Sequence, residues 1–250
     1  INDSPSDSNQ YFINGIMEEI LNNLQKIKEF RVLSRTSTSQ YQGSDRPTLP
    51  EIAKELKVNY IVEGSGQKIG KTFILSAQLI AANKKEKHLW GKSYEKEINE
   101  VADYVRLRSQ IAQAIATELK ATITPEEKQL FEKIPTASLT AFDYFQRGRE
   151  EHTKYWLDNT KIKALENAIS YYKMALKSDS TFAQAYTGLA MARSNSYWSN
   201  VWKKLVFSDS DLKLLRDSVI SLVDKALNYN SCMLSFFRPS FEVVKEGRIF

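Results

Sequence analysis

The sequence predicts a small mixed-sheet α/β domain followed by an all-α helical repeat domain, and three observations predict it. Apolar residues recur at steps of three and four from Ile13 to Ile27; the period switches to two between Thr72 and Ala81; and beyond residue 137 no strand pattern of comparable strength appears until the final residues. The change of pattern places a domain boundary near residues 121 to 137.

In the first helix Ile13, Ile16, Met17, Ile20, Leu21, Leu24 and Ile27 draw one apolar stripe, and Glu18, Glu19, Asn22, Asn23 and Lys26 form the polar face. Phe30 to Arg35 reads as a short strand, and Thr36 to Pro47 as a loop. Thr48, Pro50 and Glu51 then make a helix start, because the hydroxyl and the carboxylate three residues on satisfy free N–H groups reciprocally. Ile52, Ala53 and Leu56 face inward, and Tyr60 to Val62 form the next strand. This strand–helix–strand order predicts a parallel pair with a right-handed crossover. Thr72 to Ala81 and His88 to Glu95 read as a hairpin about the turn Asn83 to Glu86. A long helix with Val101, Val105, Ile111, Ala112, Ile115 and Leu119 aligned closes the unit. Thr124, Pro125 and Glu127 start a further capped helix that ends at Pro135.

The second half is built from small and large residues at helical spacing: Gly148, then Ala168, Tyr172, Ala175, Ser180, Phe182, Ala185, Tyr186 and Leu189. In antiparallel helix pairs a small residue lets a neighbouring backbone approach and an aromatic one turn away fills the gap. Val219, Val223, Ala226 and Ser231 repeat the spacing of Ala168, Tyr172, Ala175 and Ser180, displaced by 51 residues. An inserted loop containing Trp156 and Asp158, and a long connection from Tyr197 to Asp211, account for the stretched repeats.

Composition narrows the function classes. With 42% hydrophobic and 26% charged residues over 250 positions the chain is globular and long enough for two domains. The longest nearly apolar stretch, Phe73 to Ala82, is too short for a bilayer and is broken by Ser76 and Gln78, so no membrane insertion by this segment is expected. The net charge of +5 is dispersed, its densest groups being Lys84, Lys85 and Lys87 and the pair Lys203, Lys204; no direct nucleic-acid contact is expected. The single cysteine, Cys232, excludes an internal disulfide and reads as a structural thiol. The chain opens at Ile1 without a methionine or leader, as a fragment or processed form would.

Residues 9 to 121 resemble the amino-terminal-domain family of TolB-like proteins. The matching text is Phe12, Gly15 and Glu19 in YFINGIMEEI, then RVLSRTSTSQY, EIAKELKVNYIVEGS, FILSAQLIAA and HLWGKSYEKE. Residues 141 to 192, with AISYYKMALKSDSTFAQAYTGLAMA, resemble the tetratricopeptide repeats that follow that domain in bacterial regulators and cyclase-associated proteins. The family's first strand is missing upstream of NDSP, and MLSFFRPSFEVVKEGRIF does not continue the array. The resulting organisation is a TolB-like α/β domain over 1–121, a capped helix and linker over 122–137, tetratricopeptide-like repeats over 138–232, and an atypical end over 233–250.

Candidate chemistry is sparse. Gly66, Gly70, Lys71 and Thr72 place three residues between the glycines where a phosphate loop needs four, and a strand follows where a helix should present its N-terminus, so they read as a glycine-rich turn between strands. His88 and His152 fall in different domains with no second ligand spaced near either, and no Gly-x-Ser-x-Gly elbow occurs. The expectation is a chain without catalytic residues, metal or cofactor, which binds a protein or peptide partner. The first helix of each repeat would line the groove, through Phe145, Arg149, His152, Gln184, Thr187 and Met191. By resemblance the parent is a bacterial regulator with its output element elsewhere. The chain is then a sensory or interaction module, alternatively the non-catalytic arm of an adenylate or guanylate cyclase-type enzyme or the sensor region of a helix-turn-helix transcriptional regulator. Its compartment stays open, with a lean to the extracytoplasmic side of a membrane-anchored parent.

Overall fold

The computed structural model describes residues 10–41, 45–82, 86–202 and 209–230. They divide into two compact units, residues 1–134 and 135–250. The predicted turn at 83–85, the basic pairs Lys84, Lys85 and Lys203, Lys204, Ser231, Cys232 and the atypical end at 233–250 lie outside the described residues.

In the first unit, helix α1 (Gln10–Gln25), a helical turn α2 (Arg35–Thr38) and helix α3 (Leu49–Leu56) precede three strands, β1 (Tyr60–Ile69), β2 (Thr72–Ala81) and β3 (Lys87–Glu97); helices α4 (Val101–Glu118) and α5 (Pro125–Glu132) follow. The sheet order is β1-β2-β3, antiparallel at both pairings, with Gly64 opposite Ala77 and Leu75 opposite Tyr94. Its apolar face carries Phe73, Leu75, Ala77 and Leu79, all buried, on the side where α1 and α4 pack. Phe12 of α1 sits 4.4 Å from the Phe73 ring and 5.3 Å from that of Tyr104 in α4. The opposite face is polar: the Ser76 and Ser93 hydroxyls are 2.8 Å apart, and Gln78 donates to Glu63 at 2.9 Å. The two predicted helix starts are present, Thr48 N–H donating to Glu51 Oε2 at 2.9 Å and Thr124 N–H to Glu127 Oε2 at 2.9 Å.

Several expectations are corrected. Phe30 to Arg35 is not a strand: the Ser37 N–H donates to Ser34 Oγ and the Thr38 hydroxyl to the Arg35 carbonyl, bonds that favour a helical turn over a ladder. Arg31 is occupied instead, donating to the Lys57 carbonyl at the end of α3. Without that strand the described residues form no parallel pair or crossover, and their sheet is antiparallel rather than mixed. The strand starting at Tyr60 runs on to Ile69, so Gly64 and Gly66 lie within it and only Gly70, at φ +60°, occupies the turn. On α1 the polar face is not all solvated, since Glu19 and Asn23 are buried.

The second unit consists of helices α6 (Leu139–Leu157), α7 (Ile162–Ser178), α8 (Ala183–Trp202) and α9 (Asp209–Tyr229), consecutive helices packing together. The stretched repeats have a different cause from inserted loops. Trp156 lies in the last turn of α6 and Asp158 caps it, so the extra length lengthens the helix; much of the Tyr197 to Asp211 connection likewise belongs to α8 and α9. Ser138 caps α6 by accepting from the Ala141 N–H at 3.1 Å. Ala168, Ala175, Ala185 and Ala192 are fully buried, as close helix packing requires.

Candidate functional site

Tyr172 of α7 is the keystone of the predicted groove. A Cβ built on Gly148 of α6 would lie 2.8 Å from its ring, and one on Gly188 of α8 only 2.6 Å. Two glycines therefore let two helices close on one aromatic side chain. Phe145 belongs to the same packing, its ring 5.0 Å from that of Phe182 and 5.9 Å from that of Tyr172.

This geometry separates the six predicted groove residues. Phe145, His152 and Thr187 are buried rather than on an open surface, and the first two serve the contacts between helices. Thr187 donates to the Ala183 carbonyl within its own helix at 3.1 Å. His152 presents Nε2 to the Asn195 amide nitrogen on α8 at 2.9 Å and its ring edge to Tyr172. Burial pulls its pKa down to about 4, so at neutral pH the ring is uncharged and Nε2 accepts from the amide. Arg149 and Gln184 are half-buried and Met191 is exposed. The Arg149 guanidinium lies 5.7 Å from the Phe145 ring centre and donates to Gln146 Oε1 at 3.5 Å. Helices α6 and α8 thus present a cation, an amide and a thioether to solvent above an aromatic base.

Two features escaped the sequence reading. Trp156 stands one turn beyond His152, its ring 6.1 Å away and more than half exposed, a spacing of four that was open to view. The second is an open depression of about 470 Å³ between α6 and α7, where Tyr144 and Tyr171 stack at 6.4 Å beside the pair Arg147 and Asp143. No sequence signal marks it, because it depends on how the two helices cross.

The glycine-rich segment has a packing role in the first unit. A Cβ on Gly64 would meet the Met17 side chain at 2.4 Å, so this glycine admits α1 to the sheet, and one on Gly66 would meet the Ile74 carbonyl oxygen of β2 at 2.7 Å, so this one lets the two strands pair closely. Lys71 donates to Asn99 Oδ1 at 3.2 Å. His88 is exposed on β3, and no group of three His, Cys, Asp or Glu among the described residues converges as a metal site would. No described helix is long and apolar enough to cross a membrane.

No family model matches the chain. It is 27% identical over 140 residues to a protein of Rhizobium meliloti (strain 1021) named "Putative adenylate cyclase 3", a match covering 56% of this chain and 23% of that protein. The chain thus corresponds to under a quarter of its relative's length.

Proposed function

We propose that this chain is a non-catalytic interaction or sensory arm of a cyclase-type bacterial signalling protein, with a TolB-like first unit and a second unit of tetratricopeptide type that binds a peptide or protein partner. The observation that carries the binding role is the construction of α6 and α8. Their backbones are locked around Tyr172 by Gly148 and Gly188, while Arg149, Gln184 and Met191 remain within reach of solvent. A rigid base under a few adaptable polar and apolar side chains suits an extended or helical segment better than a small substrate. The likeness to a protein named as a cyclase favours that signalling context over the transcriptional one.

The experiment has two parts. The chain incubated with ATP or GTP and magnesium or manganese should form no cyclic nucleotide; turnover would end the non-catalytic reading. Partners captured by the native chain should then be titrated against Arg149→Ala and Met191→Ala, where loss of an anchor weakens binding by about 2 kcal/mol, roughly thirtyfold. Native affinity in both variants would remove the α6–α8 surface from consideration and leave the sheet face as the alternative.

A further inference from the structure

The depression between α6 and α7 uses a stripe of α6 that the surface on α6 and α8 does not. Thr140, Tyr144 and Arg147 recur at steps of four and three and so share one face, whereas Phe145, Arg149 and His152 follow another. Asp143 flanks the first stripe, Leu139 closes one end, and Tyr171 comes across from α7. The Tyr144 and Tyr171 rings lie 24° from parallel with centres 6.4 Å apart, a half-exposed aromatic wall. From Leu139 to Arg147 the helix rises about 12 Å, the length of roughly four residues of polyproline II.

The polar groups of this depression suit a ligand that accepts. Among the described residues neither tyrosine hydroxyl, nor that of Thr140, has a hydrogen-bond partner. Arg147 adds a guanidinium, and the carboxylate of the lining, Asp143, already takes the Arg147 Nε–H at 2.8 Å. The backbone offers no acceptor either, since carbonyls inside a helix are spent on the N–H four residues on. An ordinary extended peptide needs acceptors for its own N–H groups, and a sheet edge supplies them where a helix pair does not. A saccharide brings a donor with every hydroxyl, and a phosphorylated ligand would face Asp143. A proline-rich segment brings carbonyls, lacks an N–H at each proline, and lays its rings on aromatic faces in a conformation set before binding.

We propose that the α6–α7 depression binds a proline-rich segment in the polyproline II conformation, its prolyl rings packed on Tyr144 and Tyr171 and its carbonyls accepting from the two phenols. This is a second site, independent of the surface that carries Arg149 and Met191.

The test titrates the whole chain into fluorescein-labelled decaproline, followed by anisotropy, beside a labelled glycine–serine decamer and with unlabelled cellohexaose as competitor. Decaproline should bind saturably, at least about tenfold more tightly than the glycine–serine peptide, and cellohexaose should not displace it. Tyr144→Ala and Tyr171→Ala should each weaken binding about tenfold, while Arg149→Ala leaves it unchanged. If an alanine variant does not fold, Tyr171→Phe decides, because it keeps the ring and removes the donor; it should weaken binding several-fold at an unchanged Tm. No saturation at millimolar decaproline, equal affinity for the two peptides, or displacement by the saccharide would each overturn the proposal. So would native affinity in the tyrosine variants, or a loss in Arg149→Ala, which would merge the two surfaces.

Discussion

Asp158 and Asp179 close two successive interhelix turns in the same conformation. Each caps its helix at φ −149°, with ψ 95° and 103°. Asp158 Oδ1 accepts from the Thr160 N–H at 3.1 Å and hydroxyl at 2.6 Å, and Asp179 Oδ1 from the Thr181 N–H at 2.9 Å and hydroxyl at 2.7 Å. The turns differ at the second carboxylate oxygen, because Asp158 Oδ2 lies 3.7 Å from the exposed Lys161 ammonium whereas Asp179 Oδ2 accepts from the Thr136 hydroxyl just ahead of α6. Burial pushes the Asp179 carboxyl up, but the Thr136 and Thr181 hydroxyls outweigh it and hold it below the usual carboxylate range. Replacement by alanine should therefore cost about 2 kcal/mol at Asp179 and less at Asp158, read from urea denaturation. Equal losses at the two sites would show that the bond to Thr136 contributes nothing.

Tyr172 is held between two glycines, so the packing around it has no slack. Gly188→Ala should destabilise the chain by about 1–3 kcal/mol, and leucine at the fully buried Ala168 or Ala175 by a similar amount. Combining Gly188→Ala with Tyr172→Leu should recover part of the loss, which a double-mutant cycle would display as coupling. Strictly additive losses would argue against this contact.

His152 supplies a pH dependence whose sign follows from its burial. The folded pKa is about 4 against an ordinary 6.5, so the unfolded chain takes up the proton first as the pH falls. Its contribution is complete above pH 6.5 and is lost between there and pH 4, on the order of 3 kcal/mol in all. Unfolding free energies measured across that window should slope in the native chain and flatten in His152→Gln. An unchanged slope would assign the acid sensitivity to other groups.

The segment from Gly64 to Lys71 should not bind nucleotide. Saturable ATP or GTP binding that disappears in Lys71→Ala would contradict this. Gly66→Ala should instead lower stability by about 1–3 kcal/mol, because its Cβ would fall 2.7 Å from the Ile74 carbonyl, a backbone atom that cannot step aside.

The features legible in the sequence are those fixed by neighbours along the chain. The capping pairs at Thr48 and Thr124, the alternation from Phe73 to Leu79 and the small-residue positions Ala168 and Ala175 each follow from local periodicity or local hydrogen bonding. What escaped reading depends on distant partners. Nothing near Phe30 reveals that Arg31 is engaged by the end of α3. Nothing near Glu19 shows that Arg108, 89 residues later, will bury it. The groove divided for the same reason: Arg149 and His152 share a helix face, but only the approach of α8, with Gly188 on Tyr172 and Asn195 on His152, decides that one reaches solvent and the other does not.

The meander of the sheet also bears on how the chain acquires its fold during synthesis. Each strand pairs with its immediate successor through a short connection, so β1, β2 and β3 can zip together as soon as Lys87 to Glu97 has been made. Helix α1 has no such convenience, since the surfaces that cover Ile13, Ile16 and Ile20 belong to the sheet and to α4. Translation in chain order leaves part of that apolar stripe wet until residue 118 has emerged, so α1 is the element of the first unit whose burial waits longest on later synthesis.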